Sequence, residues 1–358
     1  MHRRSPPLLI GLGLAACGSA VEPPPFDGWT LETLSGTQGF SIRVGEGALK
    51  PGEESQNCYF MRVPDINQGL PVWMTRVKIA ANPGTHHINV FRVKTILELD
   101  PSKGEPIKIG DADATLVRGY ADFAGNPCWH SANWADWPLV ANSQHSSPED
   151  PYTDWTLPTD VGIKFEPGEM IMIQTHYVNL GRQLTPYGAQ IGINFYQSDP
   201  KPTVEMGSLF ATQQSIRICR SSPSANFSGT CRFPRGQVTI AATNGHFHSR
   251  GKKFEVFSWD GKSAEQPPMP FYTSNAWDDP PMARDLDVKP PEGGGVWWKC
   301  SYQWVPPAVD SCDAVDAKDP LKQNDCCYTF GGNVDVGEHC NLFLYYYPRL
   351  DNTDVFCL

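Results

Sequence analysis

Residues 161–178 read VGIKFEPGEMIMIQTHYV, a pattern that belongs to a β protein. Val161–Phe165 and Met170–Val178 are short runs rich in β-branched and aromatic side chains. Pro167-Gly168 between them is turn chemistry, so the segment reads as strand, turn, strand. Side chains two apart on a strand share a face. Ile171 and Ile173 therefore take one face, the core side, while Gln174 and His176 share the other.

The same pattern marks strands at Cys58–Val63, Val72–Ile79, His87–Val93 and Gln190–Tyr196, then at Gln237–Ala242, Lys253–Trp259 and Leu342–Tyr347. Asp260-Gly261 ends one of them in a turn. Residues 290–295 (PPEGGG) and 306–325 read as loops. Long helical periodicity is absent, and residues 95–99 are at most a weak local exception. Gly and Pro number 32 and 33, which suits many short strands joined by tight turns. The 358 residues suffice for two domains. The chain is expected to be all-β, with one domain over residues 27–197, a linker at Ser198-Asp199-Pro200-Lys201-Pro202, and a second domain over residues 204–358. Two antiparallel β-sandwiches of similar size fit the strand count.

The N-terminus reads as a targeting segment. Arg3 and Arg4 precede a short apolar run, Leu8–Leu14, which is too short to span a bilayer. It ends in Leu14-Ala15-Ala16-Cys17, which resembles a bacterial lipobox. That resemblance implies removal of residues 1–16, lipidation of Cys17, and export with the chain anchored to a bacterial membrane. Residues 17–26 would be the lipidated cysteine and an extended, proline-rich tether. Removing residues 1–16 takes away two Arg and no acid, so 29 Lys+Arg become 27 against 39 Asp+Glu, a charge of −12. An acidic chain without a basic run excludes nucleic acid as a partner.

Cysteine use fits the same compartment. Of 11 cysteines, setting Cys17 aside leaves an even number, for which disulfides are the default after export. Cys58 and Cys128 are the two in the first half and are paired on that ground. Spacing does not assign Cys219, Cys231, Cys300, Cys312, Cys326, Cys327, Cys340 and Cys357.

Six of the 9 histidines fall in four short clusters: His86-His87, His176, His246-Phe247-His248 and His339. Neutral imidazole suits copper, zinc and iron. His246 and His248 share a strand face, a natural chelate, with Phe247 opposite. His86 and His87 are adjacent, so both reach one ion only where the backbone is irregular, and Pro83-Gly84 just upstream offers that. His130 and His145 fall in a polar loop region and are read as uninvolved.

The ordered motifs His86-His87-Ile88-Asn89, Gln174-Thr175-His176-Tyr177, Gly245-His246-Phe247-His248 and Gly331-Gly332 through Glu338-His339-Cys340-Asn341-Leu342 resemble the type II copper, ascorbate-dependent monooxygenases. That family includes peptidylglycine α-hydroxylating monooxygenase and dopamine β-monooxygenase. The resemblance spans nearly the whole chain after the leader. It implies two tandem jelly-roll-like β-sandwich domains, each with one copper, facing each other across a solvent-filled cleft. One copper would be held by His86, His87 and His176, the other by His246, His248 and His339. The implied activity is hydroxylation of a C–H bond in a small, apolar or aromatic substrate, using O2 and two electrons from ascorbate or a similar reductant. Gln174 and Asn341 would be the catalytic positioning residues. The resemblance also implies the disulfides Cys231–Cys357 and Cys300–Cys340.

Three positions depart from the family. His339 stands where the family has Met, and a harder imidazole ligand favours Cu(II) and a lower potential. Asn244 and Phe343 stand where the peptide-amidating members have Arg and Tyr for a terminal carboxylate. Asn does not replace a bidentate Arg, so peptides ending in glycine are not expected as substrates. The same departures motivate an alternative, a non-catalytic copper-binding or storage lipoprotein on this scaffold. A cupin-like single-metal site fits less well. Cupins place a Glu three or four residues after H-x-H, where this chain has Gly251 and Lys252.

Overall fold

The computed structural model describes residues 31–45, 48–93, 115–117, 137–147, 150–179, 188–234, 236–307, 312–350 and 354–358. The leader, Cys17 with its tether, Cys128 and His130 lie outside the described residues. Those described form a nearly all-β chain, with one helix of four residues at Asp313–Asp316. No helix among them is long and apolar enough to cross a membrane.

The first half builds two sheets. One runs in the order Gly39–Gly45, Gln190–Gln197, Val72–Ala81, Val161–Phe165, Val204–Glu205, with Tyr152–Thr156 also paired to Val72–Ala81. The other runs Thr115–Val117, Glu54–Arg62, Met170–Val178, Thr85–Arg92, Leu139–Ser143. Val161–Phe165 and Met170–Val178 have the bounds their sequence predicts. The turn at Pro167-Gly168 does not pair them with each other; it carries the chain from one sheet to the other. Both sheets supply one apolar core that holds Phe60, Ile79, Phe91, Ile163, Ile171 and Phe195.

The second half also has two four-stranded sheets. Thr239–His246, Asn341–Tyr347, Gly207–Thr212 and Val355–Cys357 form one; Ser224–Arg232, Gly295–Gln303, Gly251–Trp259 and Pro270–Ser274 form the other. A small three-stranded sheet joins Arg217–Ile218, Tyr328–Phe330 and Gly337–Glu338. Four disulfides tie this half together: Cys219–Cys327, Cys231–Cys357, Cys300–Cys340 and Cys312–Cys326. Two of them are the pairs that the copper-monooxygenase resemblance implies. Cys312–Cys326 closes the Pro306–Asp325 loop locally. Cys58 is disulfide-bonded as well.

The strand Asn341–Tyr347 (NLFLYYY) explains how the halves join. Leu342, Leu344 and Tyr346 point into the second-half core. Phe343 and Tyr345, on the other face, belong to the core of the first half. Gly207–Thr212 divides the same way, with Leu209 and Ala211 in one core and Phe210 in the other. A strand apolar on both faces is one covered on both sides. The sheet thus lies between two cores, and the halves are packed against each other. The solvent-filled cleft that the resemblance implies is absent among the described residues. The boundary at 198–203 is also less clean than its Pro-rich composition suggests. Val204–Glu205 still pairs, in parallel, with Val161–Phe165 of the first half.

Candidate metal centre

Local backbone explains why each histidine aims where it does. Opposite Met170–Val178, the Thr85–Arg92 strand pairs Thr85 with Tyr177 and then His87 with His176, so His86 is an extra residue in a β-bulge. A bulge re-aims side chains that a regular strand would send to opposite faces. Gly84 makes it possible. Its φ is +95°, and a Cβ there would lie 2.7 Å from the Tyr177 ring, a position that favours glycine. His246 ends the Thr239–His246 strand, and His248 follows two residues on. Phe247, opposite, is buried beside Phe254 with ring centroids 6.0 Å apart. His339 immediately precedes Cys340, whose bond to Cys300 anchors it, and the Tyr302 hydroxyl donates to the His339 carbonyl.

All six histidines meet in one place. The His86 ring lies 5.6 Å from His87, 5.1 Å from His176, 4.7 Å from His246 and 5.3 Å from His248, centroid to centroid. His87 is 4.9 Å from His246, and His248 is 4.4 Å from His339. The two sets, one from each half, form a single cluster and not two separated sites. Every one of the six is buried.

Two triads bring ligand nitrogens within 4.8 Å of one another: His86, His176 and His248; and His246, His248 and His339. Imidazole binds a first-row ion at about 2 Å, so ligating nitrogens sit up to about 4 Å apart. Both triads are close to that geometry. The second is the set read from sequence. The first is not, because it takes His248 from the other half and leaves out His87. The His87 Nδ1 lies 3.3 Å from the Asn89 amide nitrogen.

The ring hydrogen bonds select which nitrogens remain for a metal. His248 Nδ1 is 3.1 Å from the Gly337 carbonyl, and its N–H donates there. His176 Nε2 donates to Glu54 Oε2 at 2.9 Å. Among the described residues, His248 Nε2, His176 Nδ1 and His86 Nε2 are buried without a hydrogen-bond partner. Such atoms are costly unless something binds them, and those of the first triad converge. Burial, the largest cause, drives the imidazoles of His86, His87, His246 and His248 well below their ordinary pKa. It pushes His339 down to about 3. Neutral imidazole is the ligating form, so at neutral pH these residues present lone pairs without losing protons first.

Several residues that hold the cluster carry no sequence signal, being single polar or aromatic side chains in unremarkable contexts. Glu54 accepts from His176, and both its oxygens lie 3.1 Å from the Val334 N–H of the second half. Gln144 of the first half has its Oε1 2.6 Å from His246 Nδ1 and donates to the Gly245 carbonyl. Trp277 lies 5.7 Å from the His86 ring. Arg250 is buried, stacks on Tyr328 at 3.8 Å and donates to the Val334 and Asp335 carbonyls. Glu338 accepts the backbone N–H groups of His248 and Arg250 at 3.0 and 2.9 Å, and burial pushes its carboxyl up to about 7. His145, read from sequence as uninvolved, has Nδ1 2.6 Å from Asp279 Oδ1, a bond between halves that raises its pKa.

Carboxylates behind metal-bound imidazoles fix tautomer and orientation, and their loss costs about 10- to 100-fold in metal affinity. A metal ion held by His176 would be bound more weakly by about that factor in Glu54→Ala, measured with Cu(II) against a competing chelator. Glu54→Gln should recover part of the loss, since its amide oxygen still accepts from His176.

A pocket reaches the cluster at His87, His246 and His339. The two sequence-predicted catalytic residues, Gln174 and Asn341, both line it. Asn341 pairs with His246 across the sheet. Phe343 also lines it and stacks on Phe210 with centroids 5.2 Å apart. Asn244 does not line it. Its Oδ1 accepts from Asn142 at 3.2 Å, in the contact between halves.

No protein-family model matches this chain, and no curated protein does. Among solved structures, the chain is similar at 7% identity to the major capsid protein P2 of bacteriophage PM2, over 86% of this chain and 97% of that one, with a TM-score of 0.25. A structure of infectious bursal disease virus, Gx strain, aligns over 93% of this chain and 76% of that one at 9% identity and a TM-score of 0.13. Neither likeness bears on fold or function at such scores.

Proposed function

We propose that the histidine cluster binds copper and that the protein is a copper-dependent monooxygenase. It would hydroxylate a C–H bond of a small molecule with O2 and two electrons from ascorbate or a similar reductant. The observation that carries this reading is the convergence of unpartnered, buried imidazole nitrogens from both halves beside a pocket. An all-imidazole donor set suits copper cycling between its two oxidation states. When bound, copper supplies one-electron redox chemistry and the activation of O2. The chain's own residues do the rest. Glu54, Gln144 and the Gly337 carbonyl set the ring orientations. Packing between the halves excludes water from the rings, and Gln174 and Asn341 line the pocket beside them.

Two copper ions per chain, divided as His86, His87, His176 and His246, His248, His339, would follow the family resemblance. So would two tandem jelly-roll-like sandwiches, and export as a lipoprotein through Cys17. The pocket has no Asp, Glu, Lys or Arg among its described lining residues, which argues against peptides with a terminal carboxylate.

A copper-loaded preparation supplied with ascorbate and a panel of single-ring compounds should consume O2 and release a hydroxylated product. Copper retained with neither product nor uncoupled peroxide would instead favour a storage lipoprotein. The complete burial of the six rings is the observation behind that second reading.

A further inference from the structure

The pocket meets His87, His246 and His339 but no ring of the first triad. His86, His176 and His248 expose 4%, 1% and 1% or less of their surface. Their unpartnered nitrogens converge, yet an ion reaches them only when part of the protein moves. Trp277 stands between this triad and solvent. Its ring lies 5.7 Å from the His86 ring, centroid to centroid. It is itself only half-buried, and Asn275 and Asp278 beside it are exposed.

Trp277 sits in the connection that follows the Pro270–Ser274 strand, and this connection is anchored at both ends. At the near end the Ser274 hydroxyl donates to the Ala276 carbonyl and accepts from the Ala276 N–H. At the far end the Tyr272 hydroxyl donates to the Pro281 carbonyl at 2.8 Å. Ala283 exchanges backbone hydrogen bonds with Thr243, and Met282 packs on the core of the first half. The span between is loosely held. Among the described residues, 275–281 make no backbone–backbone hydrogen bond. The middle is tied by one side-chain pair from the other half: His145 Nδ1 donates to Asp279 Oδ1 at 2.6 Å. Asp150 Oδ2 lies 3.7 Å from the Nε2 of the same ring. A segment with few backbone bonds and exposed side chains opens locally at far lower cost than the whole fold.

We propose that residues 275–281 form a strap that gates metal access to His86, His176 and His248, with the Asp279–His145 pair as its latch. Closed, the strap lays Trp277 against His86 and shields the triad. Released at Asp279, it swings from its two anchors and carries the indole off His86, while the cores of the two halves stay packed. This inference rests on the reading that the cluster binds a metal, and not on the monooxygenase chemistry.

Two measurements on the full chain test it, each on wild type, Asp279→Ala and His145→Gln. The first needs no metal. The metal-free protein is treated with diethyl pyrocarbonate, which acylates neutral imidazole, and each histidine is followed by peptide mass spectrometry. His86 should react about tenfold faster in either variant, the loss of one charge-assisted hydrogen bond at a partly exposed site. His339, on the pocket side, should keep its rate. The second follows Cu(II) uptake by the quenching of tryptophan fluorescence. In wild type the uptake rate should level off as copper is raised, because opening becomes limiting. Both variants should lift that plateau about tenfold and hold the same copper per chain. An unchanged His86 rate in both variants overturns the strap, as does a rise that His339 shares or a copper-uptake plateau that neither variant lifts. Faster His86 modification in chains that hold no copper supports the strap and counts against the metal reading alone.

Discussion

Replacing His248 with alanine is expected to abolish tight copper binding, a larger loss than any other single histidine should give. His248 belongs to both triads. Its Nδ1–H is committed to the Gly337 carbonyl, so one nitrogen serves whichever triad is filled. Without it, each triad keeps two imidazoles. His87→Ala should cost much less, because His87 belongs to neither triad. The partition implied by the family resemblance gives different numbers: His248→Ala would halve the copper and His87→Ala would halve it too. Metal counted per folded chain after removing loosely held copper separates the two arrangements. Equal losses in the two variants would contradict the shared role of His248.

The metal-free protein should lose stability steeply as pH falls below the ordinary histidine range. Burial holds His86, His87, His246 and His248 well below their ordinary value and His339 at about 3. In the unfolded chain these imidazoles take up protons near pH 6.5; in the folded chain they do not. Stability is therefore fully present above about pH 6.5 and is lost as pH falls toward the folded-state values. Each such histidine contributes up to about 1.4 kcal/mol per pH unit in that window. Several such imidazoles together make the slope steep. Urea unfolding of the metal-free protein between about pH 7 and pH 5 should show this slope. The double variant His86→Ala, His87→Ala should flatten it. Copper should protect the wild type, because a bound ion binds only the folded state. A metal-free protein equally stable at both pH values would mean that the rings are not buried together.

The strands flanking the site were legible because their patterns are local. Met170–Val178 carries its apolar alternation and its turn within one short window. The chelating pair His246 and His248 follows from strand geometry alone. The bulge that lets His86 and His87 point together was foreshadowed by Pro83-Gly84. The packing of the halves was not legible. NLFLYYY at 341–347 reads as a buried strand, but periodicity does not say what covers its second face. It is the core of the other half, reached through Phe343 and Tyr345. Glu54 and Gln144 are single polar residues in strand-like contexts, and their role exists only once the chain has brought the second half against them. Ser224–Arg232 was missed for a different reason. Its sequence SANFSGTCR is mostly polar and exposed on alternate residues, so apolar run length gave no signal. Cys219–Cys327 and Cys312–Cys326 could not be assigned from spacing, because the adjacent Cys326 and Cys327 both pair upstream but at very different separations, 14 and 108 residues.

Histidines from both halves surround one candidate metal centre. Diffraction from copper-loaded crystals at the copper absorption edge tests it directly. Anomalous density bounded by imidazoles of both halves is expected, with His248 beside it together with His86 and His176 or with His246 and His339. Copper peaks that each touch histidines of one half only, separated by solvent, or density away from the six rings, would contradict it.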